Sequence, residues 1–259
     1  MPPIPELTLL IGVGLTAGVL GGLLGIGGSI VMIPALTLIL GKDQQLAQAS
    51  AMIVNVFVAA PAVLRHRAAK AIPWSMALRM LPAALVMIIV GVVASNHIPS
   101  DWLQRVFGVF LLYVIWANLK KLRAAQNDAV PSEIRTTWPR GTVVGSVMGF
   151  SAGLLGIGGG VITVPLLQRV AHLPLRRCIA CSATAMCLTA PIGATRKNLA
   201  LDDLGLSASD SVTIALCLAP TAIIGGLIGA TLTHRLPVRQ VRIALIVLLS
   251  VASVKYLTG

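Results

Sequence analysis

The residues best suited to chemistry sit in two short segments, GGLLGIGGS at positions 21–29 and AGLLGIGGG at positions 152–160. Clustered glycines leave backbone N–H groups unshielded. Just ahead of a helix N-terminus such donors make an anion site, because they point at the ligand and the helix dipole favours negative charge. The candidates are Gly25, Gly27, Gly28 and Ser29 in the first segment, where the serine adds a hydroxyl, and Gly156, Gly158, Gly159 and Gly160 in the second. Glycine clusters also let helices pack closely in a membrane. Their repetition favours the binding role, because irregular backbone at membrane depth lines a cavity.

Polar residues follow each segment in apolar surroundings, Ser50 and Asn55 in the first half and Ser182 and Thr184 in the second. Their hydroxyls and amide can complete a shell around an oxyanion. Singly, each is as well explained by a bond to a helix carbonyl or a neighbouring helix. Arg196, with Lys197 and Arg79, stands where a cation can draw an anion to a cavity mouth, and snorkelling to the interface is the competing explanation. Pro34 and Pro165 fall at matching places in the short helices, where each removes a backbone bond and favours a kink.

Enzymatic chemistry finds little support, and no catalytic residue, metal site or cofactor is expected. His66, His97, His172 and His234 stand at loop edges and never at metal-ligand spacing with one another. Cys178 and Cys181 form a CxxC without a second pair, for which helix packing is the default. None of the eight carboxylates falls in the middle of an expected span, which argues against a proton relay or a Na⁺ cage. The glycine spacing does not mark a nucleotide loop, because no strand precedes it.

The elements that must position these residues follow from composition. The chain has 259 residues, 56% hydrophobic and 11% charged, with a mean hydropathy of +0.91. A soluble domain carries about a quarter charged residues, so the expected class is an all-α integral membrane protein. The net charge of +12 orients such a protein in the bilayer and does not point to nucleic acid.

Apolar runs occupy 7–41, 46–64, 76–95, 102–119, 141–171, 178–195, 211–232 and 237–255. The first is 35 residues long, about 52 Å as one helix, and must break. With about 1 kcal/mol of helix penalty per glycine, the breaks belong at the Gly-rich turns, followed by short helices near 28–41 and 159–171. The first run has no Lys or Arg ahead of it, unlike a cleaved signal peptide, and is read as retained.

Residues 22–28 recur identically at 153–159, an offset of 131 residues. The chain is therefore read as a duplication: a first membrane repeat 1–119, a cytoplasmic linker 120–140 and a second membrane repeat 141–259. Each repeat is a Gly-broken helical hairpin followed by three transmembrane helices. If each hairpin returns to the side it entered, 15 of the 20 Lys and Arg lie inside and only Lys42, Arg105, Arg196, Lys197 and Lys255 outside. If each broken run crosses once, the division falls to 12 against 8. The first topology is preferred; it inverts the two repeats, as in many secondary transporters, and puts both termini outside.

GGLLGIGGSIVMIPAL at 21–36 and AGLLGIGGGVITVPLL at 152–167 resemble the duplicated signature of the TauE/SafE sulfite exporter family. The resemblance covers nearly the whole chain. It implies a multi-pass permease of the inner membrane moving sulfur anions such as sulfite, sulfoacetate or thiosulfate. Family members often carry Thr-Ser early in the helix after each hairpin, where this chain has Ala49-Ser50 and Cys181-Ser182. The expected partners are a small anionic substrate and the lipid bilayer, with a homodimer open. The expected mechanism is alternating access, with the anion held between the two Gly turns and exported down the membrane potential. An uptake permease or channel for another small anion, and a non-transporting scaffold, stay open as alternatives.

Overall fold

Apolar length sets the spans and Gly and Pro set the breaks. The computed structural model describes residues 4–24, 27–123, 136–232 and 238–258. These residues form ten α-helices and no strand. The first half contains α1 (Ile4–Leu24), α2 (Ser29–Pro34), α3 (Gln44–Ala68), α4 (Trp74–Asn96) and α5 (Ser100–Arg123). The second contains α6 (Trp138–Leu155), α7 (Gly160–Val170), α8 (Leu175–Leu199), α9 (Ala208–Leu232) and α10 (Val238–Thr258). Six of the ten, α1, α3, α4, α5, α8 and α9, are long and apolar enough to cross a membrane.

Both long runs break at their glycines. Pro34 ends α2, and the chain continues as a π-turn over Ala35–Ile39, where the Leu40 N–H reaches back to the Ala35 carbonyl. A missing proline N–H invites such a change of register, yet the equivalent Pro165 is accommodated inside α7. Glu6, in the first turn of α1, pairs with Lys42 at 2.7 Å just after the π-turn, so this run returns to the end where it began. The segment 120–140 is helical at both ends, which shortens the expected linker: α5 continues to Arg123 and α6 begins at Trp138, where Pro139 in the first turn costs no hydrogen bond.

The principal helix pairings are unchanged when the halves are exchanged. α1 packs on α9 as α6 packs on α4, α3 packs on α9 as α8 packs on α4, and α3·α8 and α5·α10 map onto themselves. α3 and α8 run antiparallel, since Gln45 at the start of α3 meets Lys197 near the end of α8 while His66 near the end of α3 feels the charge of Arg176 at the start of α8. α5 and α10 are joined by a Phe107–Tyr256 ring contact at 5.7 Å and by Ser253 Oγ donating to the Gly108 carbonyl at 3.0 Å.

Small residues let the outer pairs touch backbone to backbone, as membrane helices do when no hydrophobic force separates lipid from protein. Gly141, Gly145, Gly149 and Gly153, four residues apart on α6, meet the backbone of α4 at Arg79, Met80, Ala84 and Ile88. Gly14 and Gly18 of α1 meet Leu218 and Ala222 of α9 in the same manner. A Cβ on Gly149 would overlap the Ala84 carbonyl, whereas one on Gly12 meets nothing within 4 Å. Gly149→Ala is thus expected to destabilise the protein by about 1–3 kcal/mol, the usual penalty of overpacking, and Gly12→Ala to leave it as stable or to stabilise it by up to about 1 kcal/mol, the helix gain of Ala over Gly. Equal melting temperatures in detergent would refute the backbone contact.

Lipid-facing surfaces are apolar and the interior holds polar residues. Trp102 and Trp116, exposed near opposite ends of α5, lie under Arg105 (5.1 Å) and Lys120 (5.5 Å), as aromatic anchors do at a membrane interface. Inside, Gln44, Gln45, Gln48, Asn55 and Lys197 are buried.

Candidate anion site

The two Gly turns converge at the centre of the fold. Gly27 holds φ at +80° and Gly159 at +71°, left-handed backbone that a side chain disfavours. These turns reverse the chain and aim α2 and α7 at one another. A Cβ placed on Gly27 would lie 3.8 Å from Gly158 Cα, 3.9 Å from Met186 Sδ and 4.0 Å from Asn55 Oδ1. Asn55 of α3 and Met186 of α8 are equivalent at the repeat offset, so the centre joins matching positions of the two halves with unlike chemistry on each side.

Ser29 ties the turns together. Its Oγ, fully buried, accepts the Gly158 N–H at 3.1 Å and the Asn55 side-chain N–H at 3.3 Å. One oxygen receiving a backbone and an amide donor has the surroundings suited to an oxygen of a bound oxyanion. The first N–H groups of α7, an 11-residue helix, have no acceptor within the helix and add positive potential. Asn55 Oδ1 and Gln48 Oε1 are buried without a hydrogen-bond partner. The bare donors expected in the second turn are thus partly occupied, because the Ser29 hydroxyl reaches across from the first half.

The cavity beside these groups is about 10 Å³, room for roughly one water. Its wall includes Met52, Asn55, Ile88, Gly158, Met186 and Thr189.

Not all the expected residues gather here. Gly28 caps α2 and its carbonyl accepts the Val31 and Met32 N–H groups, while Gly159 caps α7 and accepts both the N–H and the hydroxyl of Thr163. Gly156 closes α6 against Gln48, Gly160 opens α7, and Gly25 lies outside the described residues. Ser50 donates to the Leu46 carbonyl and meets Ser211 of α9 at 3.4 Å, and Thr184 donates to the Ala180 carbonyl, so both hydroxyls serve helix surfaces away from the cavity. Ser182 is buried one turn before Met186 but is not part of the cavity wall. Arg196 is exposed on the outer face of α8; a helix turns by about 100° per residue, and the cation carried inward is its neighbour Lys197.

The walls contributed by Met52, Ile88, Met186 and Thr189 are absent from the sequence-based site. Met186 had a signal, its equivalence to Asn55 at the repeat offset. Gln45, Gln48 and Asn55 also share one face of α3 by their spacing.

Comparison with known proteins places the chain in a family of membrane transporters. The family model for the sulfite exporter TauE/SafE matches residues 10–256. Among curated proteins, the chain is similar to the probable membrane transporter protein MamO of Paramagnetospirillum magneticum, 27% identical over 99% of this chain and 45% of that protein. It is similar to the probable membrane transporter protein MJ0441 of Methanocaldococcus jannaschii, 29% identical over 95% of this chain and 93% of that protein. The probable membrane transporter protein YunE of Bacillus subtilis is 26% identical, with 90% of each chain covered. The chain spans less than half the length of the two MamO proteins it matches, 45% and 44%.

Proposed function

The chain belongs to the sulfite exporter TauE/SafE family of membrane transporters, and we propose that this member exports small sulfur oxyanions such as sulfite or sulfoacetate by alternating access. The observation that carries the reading is the Ser29 hydroxyl oxygen, held by the Gly158 N–H and the Asn55 amide at the meeting point of the two Gly turns. An arriving oxyanion takes over those donors, with the dipole of α7 behind them. The exchange breaks two neutral hydrogen bonds and creates two charge-assisted ones, which are about twice as strong.

The antiparallel course of α3 and α8 and the pairing pattern that survives exchange of the halves support inverted repeats. Such an arrangement offers the same central groups to either face of the membrane. The cavity is smaller than any sulfur oxyanion, so binding requires one set of helices to move against the other. In the proposed orientation both termini are outside the inner membrane and the segment 120–140 is cytoplasmic, the division that places most Lys and Arg inside. A membrane negative inside drives an anion outward with about 2.3 kcal/mol per charge per 100 mV, so export needs no coupling ion.

The test is ligand stabilisation of the detergent-solubilised protein together with flux in proteoliposomes. Sulfite, sulfoacetate or thiosulfate is expected to raise the melting temperature by mass action, while chloride, phosphate and lactate leave it unchanged. Counterflow of the stabilising anion is expected to saturate; unsaturated conductance would mean a channel. Stabilisation by none of the sulfur anions would refute the substrate class.

A further inference from the structure

Lys197 is a cation enclosed in an otherwise uncharged shell. It is 0% exposed, and its ammonium donates to Gln45 Oε1 of α3, to Ser95 Oγ at 2.7 Å and to Asn96 Oδ1 at 2.8 Å, the last two at the end of α4. All three acceptors are neutral. Among the described residues the one ion pair is Lys42–Glu6, so no carboxylate lies within ion-pair distance of Lys197. A buried charge is costly unless paired, and such a residue within a membrane helix marks a substrate path more often than a structural need.

Its position favours a path. Lys197 lies 11 residues beyond Met186 on α8, about 16 Å along the helix. Between the two, Met52 and Ile88 close over Gly193, whose added Cβ would lie 2.7 Å from Ile88 Cδ1 and 3.6 Å from Met52 Cε. These two side chains also wall the central cavity, so they form an apolar plug between that cavity and the ammonium. On the far side is a surface pocket of about 300 Å³, two of whose wall residues, Gln45 and Asn96, hold Lys197. The pocket's carboxylate, Asp43, caps α3 by accepting the Gln45 N–H at 2.7 Å.

We propose that Lys197 is the cation of a second anion station, which takes a small oxyanion between the central site and this pocket once the Met52–Ile88 plug opens. The inference rests on the anion-transport reading above. The anion exchanges with one or more of the neutral acceptors, and the ammonium gains a counterion in direct contact, in addition to the charge of Asp43 that acts on it from beyond ion-pair distance. The low dielectric around it strengthens that attraction, and the anion leaves because the pocket beyond is wide and open to water.

The experiment is saturable sulfite counterflow in proteoliposomes for the wild type, Lys197→Met, Lys197→Arg and Asn96→Asp, with sulfite-induced thermal stabilisation measured on each. Lys197→Met is expected to raise the apparent KM by about tenfold or more, with stabilisation through the central site retained, and Lys197→Arg is expected to restore most of the loss. Asn96→Asp places a carboxylate against the ammonium and is expected to raise KM similarly while raising the melting temperature, so it tests the charge in a protein that folds. An unchanged KM in Lys197→Met or Asn96→Asp, or a fall in maximal rate alone, would mean that Lys197 is a latch and would overturn the proposal while the transport reading stands. A wild type showing neither stabilisation nor flux with sulfite or sulfoacetate would overturn both.

Discussion

Gly158→Ala is expected to leave the protein folded and to weaken binding of the proposed sulfur oxyanion by roughly 100-fold, about 2.7 kcal/mol, an amount within the overpacking range. The new methyl would overlap Met186 Sδ and sit 3.6 Å from the Asn55 amide. Met186 is unbranched and can rotate away, so the fold adapts at small cost. Met186 walls the cavity of about 10 Å³, so its displacement takes volume from the site the anion must occupy. Binding is therefore lost through occupied volume, with the Gly158 N–H still in place. Gly27→Ala differs, since its methyl has no contact closer than 3.8 Å and its penalty is the positive φ. Ligand-induced melting shifts of Gly158→Ala and of Gly158→Ala/Met186→Ala decide the matter. The double variant is expected to recover part of the affinity, and a single variant that binds like the wild type would show that the anion sits elsewhere.

Asn55→Leu is expected to separate stability from function. The amide oxygen is buried without a partner, and the amide N–H makes one bond, to a hydroxyl that also has the Gly158 N–H. Replacing a half-satisfied polar group by an apolar one of similar size removes a desolvation penalty, so stability holds or rises by up to about 1 kcal/mol. The substrate loses a donor to a charged oxygen, about 2 kcal/mol or 30-fold in affinity. Thermal melting without ligand and binding of the stabilising sulfur anion are the two measurements. A variant that is clearly destabilised yet binds normally would assign Asn55 to packing instead of to the substrate.

The breaks and the spans were legible along the chain because their causes are local. Helix penalties at glycine and proline act on the residue itself, and 35 apolar residues cannot form one span of a bilayer about 30 Å thick. Both short helices, α2 and α7, consequently begin at the turns read from GGLLGIGGS and AGLLGIGGG. At the end of the first half, α5 runs on through Lys120 and Lys121 to Arg123, since polar sequence alone does not stop a helix once its first turn has formed.

Side-chain direction was another matter. Ser50 and Thr184 have the residue types of a binding shell, but the rotation of α3 and α8 about their axes turns them to helix surfaces, and the same rotation buries Lys197 in place of Arg196.

The sequence by itself determined an all-helical membrane chain in two like halves, each with a Gly-rich break, because length, apolar content and repetition are properties of contiguous residues. Only the tertiary structure decided that the Ser29 hydroxyl meets the Gly158 N–H across 129 residues of chain, that Met186 faces Asn55, and that a lysine lies buried beyond an apolar plug. Those meetings depend on the depth and rotation at which α3 packs against α8, α2 against α3 and α7 against α8. They are set by the summed fit of many side chains across the two halves, which no local pattern encodes.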